Sequence, residues 1–391
     1  MSILKVQKIR HTASDTDVID IANDGTCRAN ITNNLSNRNK IINGAMTISQ
    51  RHGASSVQLS ASEQYIIDRF ENDTGSSFDM KADASQSTDA PDGFSNSLKL
   101  ACDGVSAVSA ASNGMITTFL EGQDVQDLAF GTSNAKSVTL SFYAKSSSQN
   151  NGHVYGVFLG AYLNGTRNSQ TKGFTVTSSW QRFTMTFEGT GTATNTAINN
   201  DNLKGFQIGF SLAAGSNDQV SYSTWTADSG LKGFTGQDNF FDNTSNEIYI
   251  TGVQLEVGSV ATDFEHRSFA QELALCQRYF YMHASGAFPL SNTDRCPIGH
   301  GYGYTSTDGY VFVTYPVQMR TNPSLFKVVG SNYFNFAHNN NNAYPDNMLA
   351  NRVSNQVCEI NFYQNASWGQ NDGGMLRTYN TAARVGFDAE L

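Results

Sequence analysis

The chain has 391 residues, of which 15% are charged and 11% aromatic, and its formal net charge is −9 at pH 7. That length exceeds one ordinary small domain and points to two or three. The acidic balance, without any Lys/Arg run, excludes the electrostatic footprint of a nucleic-acid binder, and no apolar run approaches the ~18 residues of a membrane span.

Residues 1–40 read as a separate β-rich piece. Leu4, Val6 and Ile9 make one short strand, and Val18, Ile19 and Ile21 a second. Asn23-Asp24-Gly25 is a turn signal, after which Cys27, Ala29 and Ile31 follow with period two. So short a segment buries little apolar area by itself. It is expected to attach to sister chains or to another protein, the alternative being packing on the chain's own body.

Residues 41–266 read as one β-sandwich. Val138, Leu140 and Phe142 alternate with polar neighbours, as do Tyr155, Val157 and Leu159; Phe183, Met185 and Phe187; and Phe206, Ile208, Phe210 and Leu212. One face inward and one face wet is the expectation for antiparallel sheets. In EIYITGVQLEV, Glu247–Val257, the apolar phase shifts by one at Gly252, the signature of a β-bulge. Strands so spaced suggest a sandwich or jelly roll.

Residues 267–284 read as a short linker helix. Ser268 stands three residues before Gln271, a capping-box spacing, and Phe269, Leu273, Cys276 and Phe280 recur at helical spacing. That seam suits either packing on the sandwich or a short neck between copies, and two turns are too few to specify an oligomer.

Residues 285–391 read as a smaller β-sandwich. Phe312 and Thr314 alternate with Val311, Val313 and Tyr315, and Val357, Glu359, Asn361 and Tyr363 with Cys358, Ile360 and Phe362. The Asn-rich stretch Asn335–Asn347, the stretch Asn365–Gly374 and Gly299-His300-Gly301-Tyr302-Gly303 are read as loops. The whole is an all-β chain, with 25 Phe and 16 Tyr for strands, 34 Gly for turns and only 6 Pro.

Several blocks resemble a known family. VQLEVGSVATDFEHRSFAQELALCQRYF is similar to the hinge segment of tail-fibre and related virion proteins of tailed bacteriophages. NLSNRNKIINGAMTISQRHG (Asn34–Gly53), YIIDRF (Tyr65–Phe70), FLEGQDVQDLAFGTSNAKSVTLSFYAKS (Phe119–Ser146), YPVQMRTNPSLF (Tyr315–Phe326) and FDAEL (Phe387–Leu391) continue the likeness in the usual order. The resemblance implies a jelly roll like that of carbohydrate-binding modules, a homotrimer, and a virion location after synthesis in the host cytoplasm. It implies attachment to other tail proteins through residues 1–40 and contact with a host cell-surface glycan or protein; no membrane partner is expected, from the lack of a long apolar run. A capsid or collar decoration protein and a glycan-cleaving tailspike are the alternatives.

The chemistry the residues offer is sparse, and the expectation is no enzyme and no cofactor. The pairs Asp124/Asp127, Asp238/Asp242 and Glu256/Asp263 are conceivable acid–base pairs, each near a turn or strand end. The seven His form no HExxH and no spaced metal set, and the five Cys form no CxxC. Asp68, Asp79, Asp238 and Asp242 are possible ligands of a structural calcium ion without EF-hand spacing. For glycan contact, aromatic faces beside amides or carboxylates are the expected chemistry. Two sets qualify: Tyr222, Trp225, Phe234, Phe240 and Phe241 near Asp228, Asp238 and Asn239; and Tyr302, Tyr304, Tyr333, Phe334, Phe336 and Trp368 among asparagines. The second is preferred because the far end of a fibre meets the host. Arg51 is expected to pair with a carboxylate, and the Asp68-Arg69 pair to brace the sheet edge.

Overall fold

The computed structural model describes residues 36–75, 78–190, 197–227, 230, 232–286 and 295–391, and in the first 35 residues only 6, 8–10, 17–21 and 27–29. The protein is all-β with one short helix, as the composition predicts. The three N-terminal strands Lys8–Arg10, Asp17–Ile21 and Cys27–Ala29 form a small antiparallel sheet in that order. Ile9 is exposed on it, and Val6, ahead of its first strand, is exposed as well. Val18, Ile19 and Ile21 lie on its central strand. Leu4, the Asn23–Gly25 turn and Ile31 lie outside the described residues.

The first domain is a sandwich of a six-stranded and a seven-stranded antiparallel sheet. Strand Glu247–Val257 lies inside the six-stranded sheet, between Val138–Ser146 and Ser97–Cys102. The predicted bulge is there. The register slips opposite Ser141–Tyr143, and Gly252 adopts φ +62°, a conformation that favours glycine. The alternating residues named from the sequence fill the core. Phe142 sits 4.9 Å from Phe210 and 5.1 Å from Phe174, ring centre to ring centre.

One expectation fails. The outer face of the seven-stranded sheet is not wet: Met115, Thr117, Phe158, Gln207 and Ser211 are all buried on it. Its glycines explain why. A Cβ at Gly173 would lie 2.5 Å from the Phe234 ring, and one at Gly160 would lie 2.9 Å from Cδ of Arg167. Side chains and the loop bearing Phe234 therefore lie directly on the backbone.

The helix spans Phe269–Gln277, and the Ser268 hydroxyl accepts a hydrogen bond from the Gln271 N–H at 3.3 Å. The predicted seam is corrected at both ends. Phe269 is 64% exposed, and Phe280 opens the next strand, Phe280–Ser285. Of the seam, Leu273 and Cys276 join a small cluster with Ile42, Ile48 and Tyr279, to which Leu275 also packs. The helix is thus no spacer, because the two domains touch beside it.

That contact is polar and buried. Arg69 stacks on Tyr279 at 3.5 Å, donates to the Phe119 carbonyl at 2.6 Å and pairs with Glu390. Arg51 pairs with Asp388 at 2.9 Å and Glu390 at 3.3 Å. Glu121 accepts from Arg278 Nε at 2.7 Å and from the Tyr279 hydroxyl at 2.6 Å. Arg320 donates to the carbonyls of Ala389 at 2.7 Å and Asn202 at 2.8 Å. Arg69 therefore reaches across the junction, beyond the sheet edge it was expected to brace.

The second domain packs the three-stranded sheet Phe280–Ser285, Arg384–Asp388, Ser324–Val328 on a seven-stranded antiparallel sheet. Val311, Ile360, Phe362, Phe336 and Phe387 share its core. Two predicted loops are strands. Pro297–Gly303 pairs on both sides, because a Cβ at Gly301 would lie 2.0 Å from the Tyr310 carbonyl oxygen: the glycines permit close approach. Phe334–His338 and Asn341–Ala343 form a hairpin whose turn residues Asn339 and Asn340 both take positive φ, at 38° and 59°. Asparagine tolerates that conformation, which two-residue hairpin turns need.

Candidate functional site: an open aromatic sheet face

The alternation in Asp308–Thr314 places Gly309, Val311 and Val313 in the core and Tyr310, Phe312 and Thr314 outside. Neighbouring Val357–Tyr363 sends Cys358, Ile360 and Phe362 inward and Glu359, Asn361 and Tyr363 to the same outer face. The register lines these residues up in rows. Tyr302 is opposite Tyr310, which is opposite Asn361, which is opposite Leu349. Phe312 is opposite Glu359, which is opposite Arg352, and Asp308 is opposite Tyr363. Strands lie ~4.8 Å apart and same-face residues ~6.6 Å apart along each strand, so the face is a grid of side chains at fixed spacing.

The rings stay accessible. Phe312 is 60% exposed, Tyr304 55% and Tyr302 36%. Tyr310 stands between them, 6.0 Å from the Tyr302 ring and 5.4 Å from that of Tyr304. Burial first, then the carboxylates of Glu359 and Asp308, raises the Tyr310 phenol above its ordinary value, so it stays a neutral hydrogen-bond donor near pH 7. Polar groups lie between the rings but are themselves buried, Glu359 being 6% and Asn361 8% exposed. Glu359 Oε1 accepts from Asn351 at 2.7 Å and Arg352 at 2.5 Å, and Asn361 Nδ2 donates to the Gly309 carbonyl at 3.1 Å. Rigid rings can stack on apolar patches of a ligand, and the tyrosine hydroxyls at their edge can hydrogen-bond its hydroxyls.

Of the six aromatic residues proposed from the sequence, only Tyr302 and Tyr304 belong to this face. Phe334 and Phe336 are fully buried, and Trp368 packs 5.5 Å from Phe336 and 5.2 Å from Phe362 in the core. They are core residues and cannot touch a receptor. Tyr333 is half-buried and lies off the grid. Tyr310, Phe312 and Tyr363 were missed as site residues. Their signal was present: large rings occupy the phase opposite to Val311 and Val313. In the first domain Phe240 and Phe241 are also core, Trp225 packs 5.3 Å from Phe130, and Asp228 lies outside the described residues.

The candidate acids are engaged locally. Asp238 accepts from the Val154 N–H at 2.8 Å, Asp242 from Asn246 at 2.8 Å, Glu256 from the Thr262 N–H at 2.8 Å, and Asp127 pairs with Lys40 at 2.9 Å. Asp68, proposed for calcium, instead accepts from the Gln50 N–H at 2.8 Å. Among the described residues no three His, Cys, Asp or Glu gather where they could hold a metal ion. On the covered face of the first domain, burial pushes Glu71 up to about 8 and Asp73 up to about 6.

No family model and no curated protein matches the chain. Among solved structures, 56% of the chain is similar to 22% of the crystal structure of the enzymatically active domain of bacteriophage CBA120 tailspike protein 4, at 12% identity and a TM-score of 0.28. Similarly, 55% of it aligns with 99% of the family 11 carbohydrate-binding module of the Clostridium thermocellum cellulase Lic26A-Cel5E, at 13% identity and a TM-score of 0.28. A further 54% match covers 99% of the CBM22-1 xylan-binding domain of Paenibacillus barcinonensis Xyn10C, at 9% identity and a TM-score of 0.27. At such scores these likenesses carry no argument about what the chain does.

Proposed function

We propose that the chain is a structural, adhesive component of a tailed bacteriophage virion, most concretely a trimeric tail fibre, whose C-terminal sheet grips a glycan of the host surface. The glycan reading rests on one observation: the exposed rings of Tyr302, Tyr304 and Phe312 form a strip with half-buried Tyr310 on one sheet face. Sugar rings offer both C–H patches and hydroxyls, and this strip complements both. The virion reading rests on the sequence blocks that resemble tail-fibre proteins. Residues 1–40 attach the chain to other tail proteins and to sister copies. Three weak sites held together then act through effective concentration, which raises avidity ~10²–10⁴-fold without new contacts.

The test is retention of the full chain on immobilised host surface polysaccharide. The double substitution Tyr310→Ser with Phe312→Ser is expected to lower retention at least tenfold, and unchanged retention overturns the glycan site. Sedimentation as a monomer at micromolar concentration would sink the trimer. Antibody label on the particle head, away from the tail, would replace the fibre with a decoration protein. The reading assigns no catalytic step, and new reducing ends released from host polysaccharide would overturn that part.

A further inference from the structure

Between the two domains lies a cavity of about 370 Å³, within the ~300–1,000 Å³ range of small-molecule sites. Its walls come from three elements: residues 49–53 of the first domain, Leu273 and Gln277 of the helix, and Met282 and Arg384 of the second domain. The chain carries 34 acidic residues against 25 basic ones. Yet the described residues lining this cavity include two arginines and a histidine and no Asp or Glu.

The two arginines differ. Arg51 is neutralised by Asp388 and Glu390, neither of which lines the cavity. Among the described residues Arg384 meets only backbone carbonyls, donating from Nη1 to Thr381 at 2.8 Å and to Ala383 at 3.0 Å. Burial weakens its hold on its proton, the sign of a cation short of compensation. The Ser49 residue also lines the cavity, and its hydroxyl is buried and has no hydrogen-bond partner among the described residues. An orphaned buried polar group costs about 1–3 kcal/mol, and a guanidinium without a carboxylate lacks its strongest partner. Leu273 and Met282 add apolar wall.

We infer that this cavity binds a small acidic sugar, with the carboxylate on Arg384 and hydroxyls on Ser49 and Gln277. One ligand then supplies the missing anion, a partner for the orphaned hydroxyl and a C–H face for Leu273 and Met282. The same chemistry comes as a free uronate or as the end residue of a longer acidic polysaccharide. Because the ligand touches both domains and the helix, it stiffens the junction when bound. The inference does not depend on the aromatic strip.

Calorimetric titration of the full chain with D-galacturonate, D-galactose and an oligogalacturonate tests it. Galacturonate is expected to bind at least tenfold tighter than galactose. Arg384→Gln and Gln277→Glu should each weaken it at least tenfold. The second variant leaves Arg384 intact and adds a repelling charge, so it decides the matter if the first fails to fold. Tyr310→Ser should leave the titration unchanged. Binding of the oligomer as tight as the monomer supports a polysaccharide end as the source, and binding of the monomer alone supports the free acid. Equal affinity for galactose and galacturonate, no binding of either, or a folded Gln277→Glu protein that binds normally overturns the inference.

Discussion

The molecule contains two seven-stranded antiparallel sheets, one per domain, and they treat their outer faces in opposite ways. In the first domain that face is buried under Arg167, Phe234 and Met115, which lie on glycines at 160, 173 and 209. In the second, Glu359 and Asn361 are buried but the rings of Tyr302 and Phe312 stay exposed beside Tyr310. The inner faces follow the same rule in both: alternate apolar side chains, fully buried. A period-two pattern therefore tells which residues face the core but not whether the other face meets water. Small residues on the outer phase mark a face that can be covered, and large rings mark one with something left to contact.

The sharpest way to break the comparison is at the junction that couples the two sheets. Glu390→Ala leaves Arg69, buried to its guanidinium, without its carboxylate. The expected loss is about 3–5 kcal/mol, and unfolding in urea should split from one transition into two. A single transition at the original midpoint would show the domains are not coupled there. Next comes the covered face. Gly156→Val would push a Cβ within 2.8 Å of Gln237 Oε1 and 3.0 Å of the Phe234 amide nitrogen. Overpacking of this kind costs about 1–3 kcal/mol, measured by the same unfolding curves.

Smaller is the effect of the acid buried on that covered face. The Glu71 pKa is raised to about 8 from an ordinary 4.5. Its folded form holds a proton more tightly than the unfolded chain, so its contribution is complete below pH 4.5 and lost as pH rises toward 8. Glu71→Gln should therefore change little at pH 4.5 and raise the melting temperature by about 2–4 °C at pH 8. A shift of equal size at both pH values would refute the assignment. Last, Phe312→Ser on the open face should stay within about 0.5 kcal/mol of the parent while reducing glycan retention. A larger loss of stability would mean that the strip is covered after all.

Much of the architecture was legible in the chain itself. The alternation of Val138, Leu140 and Phe142, or of Val311 and Val313, fixes which residues are inside, because a strand has only two faces. The bulge at Gly252 and the cap at Ser268 were legible for the same local reason: one residue's backbone or side chain satisfies its own neighbours. Phe334 and Phe336 were misplaced because composition alone cannot tell a loop rich in asparagine from a hairpin whose turn is asparagine, and Trp368 because its loop turns the ring back onto Phe336 and Phe362. Sheet register and domain contact were decided only in three dimensions. Pairing brings Tyr302, Tyr310 and Asn361 into one row from strands up to about sixty positions apart, and folding places Glu390 between Arg51 and Arg69. Local patterns carry the period of a strand, whereas which strands adjoin, and which charges meet across the junction, depend on long-range packing that no short stretch of sequence contains.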